Sequence, residues 1–159
     1  MSLKTFNELH PLVLQWGEER ELFNPEHGAT PLSQLRKFFE EFGELNQALN
    51  KQDREGIKDA IGDCQVCLIN YAKLRDVFFR EINYDPTDIL IPFSDIQLEA
   101  LHLETIKLIY KVKISKSIMF LEALAELNGF KPWECLNFAY NEIKDRKGKM
   151  INRTFVKDN

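Results

Sequence analysis

The sequence predicts an all-α fold, a bundle of four to six helices. Apolar residues recur at three- and four-residue steps through most of the chain. Seven glycines and six prolines in 159 residues fall below the ~12% these two residues average together. With 44% apolar residues, the chain can fill one core. Its length fits a single all-α domain over residues 1–159.

The first helix is expected over about residues 4–22, where Phe6, Leu9, Leu12, Val13 and Trp16 share a face. Asn24-Pro25-Glu26-His27-Gly28 reads as a loop. Thr30 is a suitable N-cap and Pro31 a suitable first-turn residue for a second helix ending near Asn50. A polar link around Lys51–Arg54 leads to a third helix over about 54–80. The stretch from Asn83 to Pro92, with two prolines and an Asx cluster, reads as an irregular loop. Residues 95–128 read as mostly helical, with a break possible in the β-branched segment Val112–Ser117 and a C-cap at Asn128-Gly129. A last helix is expected from Pro132 to about Lys147, ended by Gly148 and followed by a basic tail over about 148–159.

A formal charge of −4 offers no general nucleic-acid footprint and no polybasic membrane patch. No run reaches the ~18 apolar residues of a membrane span. The N-terminus has no apolar leader, and the three cysteines (Cys64, Cys67 and Cys135) suit a reducing compartment. A cytoplasmic location is expected.

The chemistry concentrates on the second and third helices. Leu35, Phe38, Phe39, Phe42, Leu45 and Leu49 form an apolar stripe. Glu40, Glu41 and Glu44 fall within about 100° of one another on another face. Glutamates off the stripe are ordinarily a solvated face. The third helix, however, is apolar around most of its circumference, from Ile57 to Leu74, so it should be buried. Yet Asp59, Asp63 and Asn70 lie along one line of it, and aspartate is rarely buried unpaired. Lys58 and Lys73 could reach from the sides, and a cation from another helix is a further possibility. The most economical partner is a divalent metal shared with the glutamates, since a short link should pack the two helices antiparallel. Oxygen ligands without His or Cys suit Mg²⁺ or Mn²⁺.

Glu40-Glu41-Phe42-Gly43-Glu44, followed by Asp59-Ala60-Ile61-Gly62-Asp63, resembles the MazG-like branch of the all-α nucleoside triphosphate pyrophosphohydrolases, whose signature is E-E-x-x-E followed by E-x-x-D. The flanks Gln34-Leu35-Arg36-Lys37 and Cys67-Leu68-Ile69-Asn70 are similar to that branch as well. The segment Ala139–Met150 resembles the C-terminal part of phage-type MazG-like proteins. The likeness runs from about Trp16 to Lys157, apart from 81–128. It departs at Ala60, where the signature has glutamate. Asp59, a full turn before Asp63, is the candidate replacement as ligand, as supporting residue or on a second ion.

The resemblance implies Mg²⁺-dependent hydrolysis of (deoxy)nucleoside triphosphates to monophosphate and pyrophosphate. It implies Glu40, Glu41, Glu44, Asp59 and Asp63 as metal ligands, with Glu40 or Glu41 activating water. Lys37 and Asn70 would contact substrate. It also implies a homodimer or homotetramer. The segment 140–159 carries six basic against three acidic residues, a net +3 that leaves −7 for the rest. Arg146, Lys147 and Lys149 are therefore candidates for gripping the triphosphate, against the plainer reading of a solvated helix end. Two rival readings are a dUTPase-type pyrophosphatase and a non-catalytic metal- or nucleotide-binding bundle. Cys64-Gln65-Val66-Cys67 reads as buried and structural. The scattered His10, His27 and His102 form no ligand set, and Trp16 and Trp133 read as core or interface.

Overall fold

The computed structural model describes residues 2–79, 95–110, 112–151 and 154–158. Helix α1 spans Phe6–Glu19, and a 3-10 turn follows at Pro25–His27. Helices α2 (Pro31–Lys51), α3 (Arg54–Leu74), α4 (Asp95–Tyr110), α5 (Ile114–Leu127) and α6 (Glu134–Ile143) come next. The described chain is mostly helical, as the sequence predicts. The loop expected at Asn83–Pro92 lies outside the described residues.

Local chemistry sets the ends of α2 and α3. The Thr30 hydroxyl accepts from the Ser33 N–H at 3.0 Å, and Pro31 fills the first turn. Gln52 stops α2 in a left-handed conformation, φ 54°. The next residue, Asp53, caps α3 by accepting from the Gly56 N–H at 3.1 Å. Two residues thus end one helix and begin the next. The pair is antiparallel: Ala48 faces Gly56, Glu44 senses Asp59, Glu41 senses Asp63 and Gln34 bonds Cys67.

Helix α3 is the centre of the molecule and touches α1, α2, α5 and α6. Ile61, Cys64, Leu68, Ile69 and Ala72 are fully enclosed. The helix ends earlier than expected: Arg75 caps it and Asp76 takes φ 53°. The long helical segment breaks where its β-branched residues suggested, with Val112 at φ 56° before α5. Asn128 caps α5, and Gly129 turns at φ 77°. Arg54 donates to the Asn128 carbonyl at 2.8 Å and lies over the Phe130 ring at 4.5 Å. That ties the start of α3 to the end of α5.

One buried acid braces the next turn. Glu122 of α5 is fully enclosed, accepts from the Gln65 amide at 2.9 Å and from the Trp133 N–H, and so joins α5, α3 and the approach to α6. Its burial pushes the carboxyl up to about 7, against the hydrogen bonds from Trp133 and Gln65.

The C-terminal tail departs from expectation. Helix α6 ends at Ile143, and Gly148–Ile151 (β1) pairs antiparallel with Thr154–Lys157 (β2). The register sets Gly148 opposite Lys157 and Met150 opposite Phe155. Met150 is buried, Phe155 lies 5.8 Å from Trp16, and the Met150 N–H donates to the Arg20 carbonyl at 3.1 Å. The hidden apolar face, not the charges, decides the conformation of this segment.

The approach of α6 to α3 depends on Gly62. A Cβ there would run into the Cys135 carbonyl and stand 2.7 Å from the Ala139 Cβ. A Cβ on Gly43 would meet nothing within 4 Å among the described residues. Gly62→Ala should cost about 1–3 kcal/mol by prising α6 from α3. Gly43→Ala should gain about 0.5–1 kcal/mol through helix propensity alone. Urea unfolding of the two variants checks the opposite signs.

Candidate metal centre

The antiparallel pairing of α2 and α3 brings together the acids that the sequence singled out. Glu41 is the best hidden, at 5% exposure. A carboxylate so deep needs a partner, and the Lys37 ammonium stands 2.6 Å away, one turn back on α2. The same ammonium reaches the exposed Glu40 at 3.0 Å. These bonds to Glu41 and Glu40 hold Lys37 protonated beyond its ordinary range, although burial works the other way.

The remaining acids crowd one another. Asp63, half-buried, is pushed up to about 7, chiefly by burial and then by the charges of Glu41 and Asp59. Arg146 and Lys37 oppose that rise. Asp59 is exposed and also raised, by burial first, then by Glu41 and Glu142, with Arg146 opposing. Glu44 is raised by Glu41 above all, then by burial, against the pull of Lys37. Charges from α2, α3 and the α6 region therefore meet at one place.

The cations divide. Lys58 pairs with Glu134 at 3.0 Å and Lys73 with Glu18 at 3.0 Å, so both side-reaching candidates are engaged elsewhere. Of the tail candidates, Arg146 acts on Asp59 and Asp63. Lys147 and Lys149 are exposed and make no ion pair among the described residues, Lys149 on the outer side of β1 beside the buried Met150. Asn70 is 3% exposed, two turns along α3 from Asp63, and its Oδ1 has no hydrogen-bond partner among the described residues. Ala60 is buried in the core, so no carboxylate stands at the signature position.

Two residues enter that the sequence did not nominate. Glu142 adds a carboxylate beside Asp59 from α6. Arg20 donates to the Arg146 carbonyl at 2.6 Å. Neither carries a local signal, because both depend on how α1 and α6 cross α3. The cysteines behave as expected of buried thiols: all three are free, and burial pushes each well up.

The donors are all carboxylate oxygens, which suits a hard divalent cation in kind. Among the described residues, no three His, Cys, Asp or Glu side chains are gathered at the spacing of a bound ion. Glu41 is turned to Lys37 instead.

An uncharacterised 18.2 kDa protein from the rep-hol intergenic region of Haemophilus phage HP1 (strain HP1c1) is 40% identical to this chain over 65 residues. The match covers 41% of this chain and 38% of that protein. No protein-family model matches the chain, and no solved structure matches it.

The crowding has a signed consequence for stability. Asp63 titrates near 7 folded, against 3.8 for a free aspartate, so the folded state holds the proton more tightly. Metal-free stability should fall as pH rises from about 4 to about 7 and then level off. Glu122 adds a parallel loss between 4.5 and about 7. Asp63→Asn and Glu122→Gln should each flatten the profile in part. Each should also raise the melting temperature at pH 8 in chelator. Thermal melts from pH 4 to 8 check this.

Proposed function

We propose that the chain is a nucleoside triphosphate pyrophosphohydrolase, using Mg²⁺ (or Mn²⁺) to cleave (deoxy)nucleoside triphosphates to monophosphate and pyrophosphate. The observation that carries this reading is the mutual crowding of Glu41, Glu44, Asp59 and Asp63, with Lys37 and Arg146 facing them. Such a row of acids is stable only with cations to answer it. The resemblance of the two acidic motifs to the MazG-like branch supplies the reaction class and the attack at the α-phosphorus.

Glu41, Glu44 and Asp63 would hold the ion, with Asp59 in place of the acid absent at Ala60. When bound, the divalent cation would neutralise phosphate charge and lower the pKa of a water. The protein's own residues do the rest. Glu40 is exposed and Glu41 buried on the same turn, so one carboxylate faces solvent while the other anchors the site. Either could orient the water or take its proton. Lys37, paired with both glutamates, is placed to exchange them for phosphate oxygens when the acids turn to the ion. Arg146, whose charge acts on Asp59 and Asp63, would meet the triphosphate as a planar cation. Asn70, Lys147 and Lys149 remain candidate substrate contacts. A homodimer or homotetramer in the cytoplasm completes the proposal.

Ala60 favours a second reading, a metal- or nucleotide-binding bundle without turnover, because the missing acid weakens the ligand set. A dUTP-restricted enzyme is the third. Purified protein with Mg²⁺ and a nucleotide panel separates the three. Pyrophosphate and monophosphate should appear, and Glu44→Gln and Asp63→Asn should each lower turnover by about 10²-fold or more while the fold survives. Release of orthophosphate, or no turnover on any nucleotide, contradicts the proposal. A Mg²⁺-raised melting temperature without turnover selects the second reading.

A further inference from the structure

Helix α4 carries apolar residues around most of its circumference, the pattern of a helix covered on all sides. Among the described residues it packs chiefly on α5. Thr105, Leu108 and Ile109 are buried on one face. On the opposite face Leu103, Ile106 and Tyr110 stand 62%, 40% and 86% exposed. Their three- and four-residue steps, continued back to the exposed Glu99, make a straight seam of the kind that receives a second helix. The His102 ring lies 5.4 Å from the Phe42 ring, so α2 borders this face. Phe39, one turn from Phe42 on α2, is half-exposed and widens the apolar surface. An apolar face this open marks an interface.

The charges beside the seam say what covers it. Glu99 and Lys107 are both exposed, and each lies four residues from Leu103, one on either side. Two α4 helices laid antiparallel about Leu103 would set each Glu99 level with Lys107 of the other copy, twice by symmetry. Laid parallel, they would set Glu99 against Glu99 and Lys107 against Lys107. The seam is thus complementary to itself in one direction only. Lys107 also reaches Glu104 at 3.1 Å within its own helix, an exposed pair of little strength.

We propose that α4 is the contact helix of a homodimer: a second copy of the chain lies antiparallel on Leu103, Ile106 and Tyr110, with Glu99 and Lys107 paired across the two-fold axis. The 16 residues of α4 make a strip about 24 Å long. Such a strip falls short of the ~1,200 Å² that a stable dimer buries, so Phe39 at its border belongs to the contact. The helix lies within 81–128, the part of the chain that the likeness of the acidic motifs does not cover. The dimer gives the homo-oligomer of the functional reading its surface but needs none of its chemistry. Turnover by a monomer would overturn the dimer and leave the reaction standing.

The test is sedimentation velocity of the full chain over a range of concentrations, with circular dichroism melts to show that each variant folds. The parent should run at twice its 18.7 kDa. Glu99→Lys and Lys107→Glu should each weaken the dimer about tenfold, because each then meets a like charge. The two together should restore it to within about threefold of the parent, because the exchanged charges oppose again. Leu103→Asp should give a folded monomer. If that variant does not fold, the exposed charge series decides the matter. A tetramer that Leu103→Asp splits into dimers supports the proposal equally. A monomeric parent overturns it and leaves the face to a different protein or to residues 80–94 of the chain itself. A dimer indifferent to Leu103→Asp, or a double charge variant no tighter than the single ones, overturns the antiparallel α4 contact.

Discussion

The structure depends on a repulsion that its own packing enforces. Helix α3 is the most enclosed element and carries Asp63 on the side where α2 presents Glu41 and Glu44. Burial and like charge act together there, and Asp63 is pushed to about 7. The core cannot relieve this by moving α3, because Ile61, Leu68 and Ile69 lock it on its other faces. Relief comes from a proton on Asp63 or from cations. The chain supplies Lys37 from the same helix as Glu41 and Arg146 from beyond α6. A divalent ion would supply the rest.

The convergence of three helices follows from small local facts. Asp53 caps α3 two residues after α2 ends, which fixes the antiparallel pairing and sets Glu41 level with Asp63. Gly62 lets α6 press onto α3 one residue before Asp63, and this close approach carries Glu142 and Arg146 to the acids. The hairpin after α6 seats Met150 and Phe155 against α1, where Arg20 and Trp16 receive it. Packing in the tail and electrostatics at the site are thus one arrangement.

Much of this was legible in the sequence, for identifiable reasons. Thr30-Pro31, the polar link before Arg54 and Asn128-Gly129 are local signals, and the helix boundaries fall on them. The acids on α2 and α3 were legible because helical periodicity places them and a short link forces the two helices together. The tail was not. Its run of lysines and arginines obscured a short alternation in which Met150 and Phe155 turn inward, and a two-stranded hairpin is marginal without the core that receives it. Nor were Glu142 and Arg20 legible, since their roles arise from contacts between distant parts of the chain. The end of α3 was overestimated because Val77 and Phe79 continue the apolar character after the backbone has turned at Asp76.

The crowded acids are proposed to receive a divalent cation. The direct measurement is the number of protons released when Mg²⁺ binds at pH 6.5, taken from calorimetric heats in buffers of different ionisation enthalpy. An aspartate that titrates near 7 is mostly protonated at that pH and must give up its proton to bind a metal. Release of roughly one proton is expected from the parent protein and none from Asp63→Asn. Mg²⁺ binding without proton release, or no Mg²⁺ binding at all, would contradict it.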